Sequence, residues 1–288
     1  MNDKIIIKNK AKIIKKDNEV YVIKKTKKDL TKLNEYLDNR DFTSYPHILS
    51  KDNEYTKYEY IESKSHITDE KLVDLIKTVA LLHYKTAYYK TVSRLKYKKI
   101  YEKLIDNVDY LKLYYEKLIT DIESTIYFSP VDYLIARNYH IIKGSLDYSE
   151  RTLNAWYREV NNKTKQRVVV VHNNLKQDHF IIGDIPYLIN FDNYIIDSPV
   201  LDLYKLYKNE FSNYDFKDLF KIYNSIFHLE KNEIMLLNIL ISIPGRIEET
   251  GNNLMDTKNI NEIINFIYKS NDLVTSGVFE IEENEPSK

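Results

Sequence analysis

Residues 168–208 read VVVVHNNLKQDHFIIGDIPYLINFDNYIIDSPVLDLYKLYK, and the order of their parts restricts the folds open to the chain. Four valines at 168–171 make a continuous apolar run of strand length, as a strand buried on both faces requires. A polar loop opened by His172 follows, then a short hairpin turning at Gly183-Asp184, where glycine and aspartate suit a tight reversal. The next strand ends in Asn190-Phe191-Asp192, and the segment closes with Asp197-Ser-Pro-Val-Leu-Asp202-Leu203. Each part alone occurs in many folds; the succession is far more restrictive.

This succession resembles the aminoglycoside and choline phosphotransferase family of protein-kinase-like folds, whose pattern reads H-G-D-L-x-x-x-N, strand, D-F-x, then D-P-x-x-D-L. Upstream, Leu81-Leu82-His83 closes an amphipathic segment and is similar to the L-A-x-L-H helix ending of the same family. The HNNL loop and the Tyr/Lys-rich helical middle resemble most the bacterial, spore-coat-associated branch. The resemblance implies an α+β, bilobal protein-kinase-like fold, with a small β-rich N-lobe and a large, mainly helical C-lobe. It divides the chain at residue 62: an N-lobe over 1–62, a helical C-lobe over 63–277 carrying the catalytic-loop-like segment 168–206, and an acidic, disordered tail over 278–288.

In this family, by resemblance, the loop Asp accepts the proton of the substrate hydroxyl, while the Asn five residues on and the Asp of D-F-x hold Mg²⁺. Here those three positions are Asn174, His179 and Asn190. An amide has no basic site near neutral pH, so Asn174 cannot serve as the general base, a role worth about 10²–10⁴-fold in rate. Mg²⁺ is a hard cation that prefers oxygen ligands, which makes the His179 imidazole a poor substitute and leaves Asn190 a neutral one. Asp192, which shares a face with Asn190 in an extended segment, is the acid able to take the metal position. Alternatively, it orders the loop by accepting backbone hydrogen bonds. His172 is expected to be a structural post bonded to backbone near the metal strand, and Asp197 and Asp202 are expected to fix the loop.

Ahead of this segment, residues 1–62 look strand-like with one helix between. In Val20-Tyr-Val-Ile-Lys24 alternation places Val22 and Lys24 on one face, similar to the kinase V-A-I-K strand in which the lysine reaches nucleotide phosphates. A helix over 29–37 brings Glu35 forward as the first-choice partner for Lys24, with Asp38 and Asp41 also in reach by sequence. Strands are expected at 46–49 and 58–62, the second being the hinge whose Glu59, Tyr60 and Ile61 would meet an adenine edge. The resemblance therefore implies ATP and Mg²⁺ as cofactors. Against nucleotide binding, no glycine precedes Gly144, so no glycine-rich loop brings backbone N–H groups close to phosphates.

From Thr68 the pattern turns helical. Leu72, Leu75, Ile76, Val79, Leu82 and His83 form one apolar stripe. Tyr97, Tyr101, Leu104, Val108, Leu111, Tyr115, Leu118 and Ile122 then recur at alternating spacings of four and three, a heptad seam. Such a seam packs within the chain or pairs two copies through residues 97–122; the monomer is the expected state. Ser129-Pro130-Val-Asp132 signals a helix start, Gly144 an end, and a further helix is expected over 147–160. Four more helices are expected over 201–211, 216–228, 233–243 and 259–268.

Forty-three basic and 43 acidic side chains cancel, which argues against partners recruited by overall charge, whether nucleic acid or membrane. The balance is uneven locally, with residues 1–29 rich in lysine and the C-terminal end rich in glutamate. With no cysteine, disulfides and thiolate sites are excluded. No apolar run approaches the roughly 20 residues that span a bilayer, and Met1-Asn-Asp-Lys leads into no cleavage-site pattern, so the expected location is cytoplasmic, or spore-associated by resemblance.

Three functions follow from these readings. The first is a kinase-like pseudoenzyme with a binding, scaffold or spore-coat-type role toward an unknown protein or small molecule. The second is an active ATP-dependent small-molecule phosphotransferase whose Mg²⁺ is held by Asp192. The third is an unrelated helical interaction protein.

Overall fold

The computed structural model describes residues 4–8, 11–16, 19–52, 54–64, 68–248 and 250–279. The chain runs through β1 (Lys4–Lys8), β2 (Ala11–Lys16), β3 (Glu19–Lys25), α1 (Thr31–Asp38), β4 (Ile48–Lys51), β5 (Tyr55–Glu59) and α2 (Thr68–Thr86). It continues with β6 (Tyr88–Thr91), α3 (Arg94–Glu123), α4 (Pro130–Val160), β7 (Lys165–Val171), β8 (Phe180–Ile182), β9 (Pro186–Leu188) and β10 (Ile195–Asp197). Four helices close it: α5 (Val200–Glu210), α6 (Phe216–Ile226), α7 (Lys231–Ser242) and α8 (Asn253–Thr275).

Contacts group the chain into two compact units, each assembled from separate stretches of sequence. One unit comprises residues up to Tyr88 together with Val168–Asp202 and Ile222–His228; the other comprises Tyr89–Arg167, Leu203–Lys221 and the chain from Leu229 on. The stripe of α2 explains why this helix groups with the later segment. Leu72, Leu75, Ile76, Val79 and Leu82 are fully buried, and α2 packs on β9, so the helix and the 168–202 segment form one body.

In the first unit a five-stranded antiparallel sheet has the order β1-β2-β3-β5-β4. The alternation of β3 continues across β2 and β5 in register: Val22 lies opposite Ile13 and Tyr58, and Lys24 opposite Ala11 and Thr56. The hinge strand ends at Glu59, earlier than the pattern at 58–62 suggests, and Tyr60 and Ile61 leave it as irregular chain. β10 pairs antiparallel with the valine run of β7, Ile196 opposite Val170, and those valines are almost wholly out of solvent. β8 and β9 form the expected hairpin around Gly183-Asp184.

The second unit is helical. The heptad seam of α3 is turned inward: Val108, Leu111, Tyr115 and Ile122 form one core with Ile135, Ile142 and Leu146 of α4 and Ile260 and Ile267 of α8. Ser129 starts α4 by accepting the Asp132 N–H while the Asp132 carboxylate accepts the Ser129 N–H, with Pro130 in the first turn. The expected break at Gly144 is absent. α4 runs unbroken to Val160, because the stripe continues past the glycine through Ser145, Leu146, Ser149 and Leu153, all buried. Packing overrides the local preference here. At the end of the chain, residue 279 belongs to the fold: Phe279 is buried, its ring centroid 5.5 Å from that of Phe220. The acidic stretch 280–288 lies outside the described residues. Among those described, no helix is long and apolar enough to cross a membrane.

Candidate functional site

All of the candidate residues belong to the first unit, and a single buried carboxylate organises their loop. Asp202, in the first turn of α5, is fully buried; its Oδ2 accepts the His172 N–H at 2.7 Å and its Oδ1 accepts the Asn173 N–H at 2.7 Å. His83, the polar member of the α2 stripe, donates from Nε2 to Oδ2 of Asp202 at 3.3 Å, and its Nδ1 meets the Tyr223 hydroxyl at 2.7 Å. A charge without solvent needs such partners, since a buried unpaired carboxylate costs several kcal/mol. Asp202 therefore sets the path of the chain through 172–174. Asn173 takes a left-handed conformation, φ 64°, which its short polar side chain tolerates, and donates from Nδ2 to the Asn193 carbonyl at 2.9 Å.

His172 reaches from this loop to the next strand. Its Nε2 donates to the carbonyl of Ile189 at 2.8 Å, immediately before Asn190. Nδ1 is buried without a hydrogen-bond partner, and burial holds the imidazole below its ordinary pKa, so the ring is neutral with its proton on Nε2. The Asp202 carboxylate opposes that shift without reversing it. Phe191 packs edge-on against the ring at 4.7 Å between centroids.

Asn190 is also left-handed, φ 68°, and begins a short 3₁₀ turn over Phe191–Asn193. That turn brings Asp192 round to the same side as Asn190, a placement that an extended reading of the segment approximates. The ammonium of Lys24 bridges the two: Nζ donates to Asn190 Oδ1 and lies 3.3 Å from Asp192 Oδ2. The pair is mostly shielded, with 23% of the lysine side chain and 17% of the aspartate side chain exposed. Beside it, burial and then the Asp192 carboxylate push the Tyr58 hydroxyl up to about 12, so Tyr58 stays protonated. Lys28 adds a fourth pin, donating to the Tyr194 carbonyl at 2.9 Å with its ammonium 3.6 Å from that ring.

The structure distributes the remaining sequence candidates differently. Glu35 is exposed on α1 and is not the partner of Lys24; the lysine finds a carboxylate in Asp192 instead. The Glu59 carboxylate accepts the His47 backbone N–H at 2.9 Å, which ties it to the neighbouring strand. Tyr60 is 38% exposed. Ile61 packs on Gly183, where a Cβ would stand 2.9 Å from Ile61 Cγ2, so glycine is required at that close approach. Asn174 offers its main-chain carbonyl to His179, whose Nδ1 donates to it at 2.8 Å. Asp197 accepts the Ser198 N–H at 2.8 Å and so shapes the entry to α5.

Mg²⁺ in phosphotransferase sites is held by one or two carboxylates together with waters and substrate phosphates, and here the carboxylate available to it, Asp192, is paired with the Lys24 ammonium. Of the three metal candidates one is an imidazole, already engaged through Nδ1, and the two oxygen donors share the Lys24 ammonium. Among the described residues no group of three or more His, Asp or Glu is placed to hold a metal ion. Sequence reasoning passed over Tyr223, Asn173 and Lys28. Only the polarity of His83 within an apolar stripe signals that a buried partner such as Tyr223 must exist.

No protein-family model matches the chain, and no curated protein matches it by sequence. In structure it is similar to the aminoglycoside phosphotransferase of Alicyclobacillus acidocaldarius, with a TM-score of 0.68 over 95% of this chain and 90% of that one, at 10% sequence identity. Lower-scoring similarities include a spectinomycin phosphotransferase, APH(9)-Ia (TM-score 0.48, 12% identity, 94% and 93% covered), and the choline kinase LicA of Streptococcus pneumoniae (0.45, 15%, 96% and 93%). The first of these defines the class: the chain has the protein-kinase-like fold of the aminoglycoside phosphotransferases, with a small antiparallel-sheet N-terminal region and a mainly helical remainder. At such identity the likeness carries the fold and leaves the chemistry to the residues of the site.

Proposed function

We propose that this chain is a pseudoenzyme: a phosphotransferase-fold protein that does not transfer phosphate and acts as a binding or scaffold protein, with a spore-coat type of role suggested by the sequence resemblance. The observation that carries this reading is the Lys24 bridge to Asn190 and Asp192. In the related enzymes, by resemblance, the lysine serves the nucleotide and the acids serve the metal. Here one ammonium neutralises the single carboxylate of the pair and donates to two protein oxygens, Asn190 Oδ1 and Asp192 Oδ2. Asn174 supplies no base to activate a hydroxyl. Four side chains pin 189–194 through hydrogen bonds to its own groups.

Thermal unfolding of the full chain with ATP, in Mg²⁺ and separately in EDTA, tests this. A ligand at 100 times its dissociation constant adds about 2.7 kcal/mol, which at about 2–4 °C per kcal/mol is easily read. The expected result is no Mg²⁺-dependent shift. A shift that needs Mg²⁺ would sink the pseudoenzyme reading.

One observation favours the alternative of an active ATP-dependent phosphotransferase: the Asn190 amide oxygen and the Asp192 carboxylate already converge on one cation. Under that reading Asp192→Ala abolishes ATP turnover with a hydroxyl-bearing substrate. Under the pseudoenzyme reading there is no turnover to lose.

A further inference from the structure

Strand register gives the five-stranded sheet two faces. Val22, Lys24, Thr56 and Tyr58 lie on the face of the site. On the opposite face Lys12 lies beside Ile23 and Lys57, Ile14 beside Tyr21 and Glu59, and Lys25 beside Tyr55; Lys16 lies beside Glu19. None of these residues is buried, so among the described residues nothing covers this face.

Its charge is one-sided. Of the two acids, Glu19 stands 3.8 Å from the Lys57 ammonium, and Glu59 is turned to the His47 N–H. Lys12, Lys16 and Lys25 are exposed and make no ion pair among the described residues. They sit on β2 and β3, inside the sheet order, so guarding a sheet edge against association does not account for them. Between them Ile14, Ile23 and Tyr21 form a half-exposed apolar floor.

We infer that this face docks an extended acidic polypeptide, whose carboxylates meet Lys12, Lys16 and Lys25 and whose apolar side chains rest on Ile14 and Ile23. In an extended peptide, alternate residues project to one side about 7 Å apart, close to the diagonal interval of about 7–8 Å between Lys12 and Lys25. Single-stranded nucleic acid fits less well: it stacks successive bases on several open rings, whereas the Tyr21 ring has the Lys57 ammonium over it at 3.8 Å and Tyr55 is left as a single exposed ring beside it. A lipid surface requires apolar groups that project beyond the charges, whereas Ile14 and Ile23 lie between exposed lysines.

The test is fluorescence anisotropy of a labelled oligo-glutamate peptide containing interspersed valines, titrated with the full chain. Binding is expected, weakening as salt is raised. The triple charge reversal Lys12→Glu, Lys16→Glu, Lys25→Glu is expected to weaken it at least tenfold. The control reversal Lys99→Glu, Lys103→Glu, Lys117→Glu on α3 is expected to leave it within twofold. Equal loss in both variants, no binding to the wild type, or tighter binding to an RNA oligomer or to phosphatidylserine vesicles would each overturn the inference. Circular dichroism of the three proteins verifies that the comparison is made between folded chains.

Discussion

In the helical unit Val108, Ile142, Leu146 and Ile260 are at most 1% exposed and meet in one continuous core, whereas in strands β2 to β5 of the sheet only Thr56 is buried. The candidate site in the first unit is ordered in a third way, by side chains bonded to backbone: Asp202 to two N–H groups, His172 to the Ile189 carbonyl, Asn173 to that of Asn193, Lys28 to that of Tyr194. Burial of apolar surface is tolerant of which atoms touch, so a helical core keeps its stability through conservative exchange. A polar network is not tolerant, because each lost partner leaves a buried group unsatisfied. Substitutions in the two regions should therefore differ in kind as well as in size.

The largest effect is expected at Asp202. Asp202→Ala strands two N–H donors and His83 in a solvent-free pocket and should cost about 3–5 kcal/mol in urea unfolding. A loss under about 1 kcal/mol would mean that the loop is not held by this carboxylate. Next comes the helical core: Leu146→Ala should cost about 2–5 kcal/mol, and Ile14→Ala, on the uncovered face of the sheet, less than about 1 kcal/mol. Equal losses at the two positions would erase the contrast between the regions.

A smaller effect concerns pH. His172 is held below its unfolded pKa of 6.5, so the folded protein resists a proton that the unfolded chain accepts. Its contribution is complete above about pH 6.5 and is lost as pH falls below that, with a slope of up to about 1.4 kcal/mol per pH unit for one proton. Comparing urea midpoints at pH 7.5, 6.0 and 5.0 should show His172→Gln, which retains a donor for Ile189, with the shallower dependence. The smallest effect is a gain. Gly144 lies mid-helix with nothing within 4 Å of an added Cβ, so Gly144→Ala should stabilise the chain by about 0.5–1 kcal/mol, read as a rise in Tm.

Much of this architecture is legible in residue order. The α2 stripe, the heptad seam of α3 and the valine run of β7 are periodic signals that burial then obeys, and the Ser129–Asp132 cap is a local one. Gly144 misleads because a helix-ending preference of about 1 kcal/mol yields to a stripe that buries several large side chains. Glu35 misleads because its sequence neighbourhood to Lys24 carries no information about which carboxylate shares its side of the sheet.

The sequence by itself determines which chemistry the site lacks. Asn174 has no basic site and Asn190 no charge in any conformation, since these are properties of covalent structure. Tertiary structure alone decides what the remaining groups do. Lys24 is separated by more than 160 residues from Asn190 and Asp192, and only the closure of β3 onto the turn after β9 puts its ammonium between their oxygens. Hydrogen bonds and ion pairs act over a few ångströms, and distances of that order between remote residues are set by packing, which no local pattern of residues encodes.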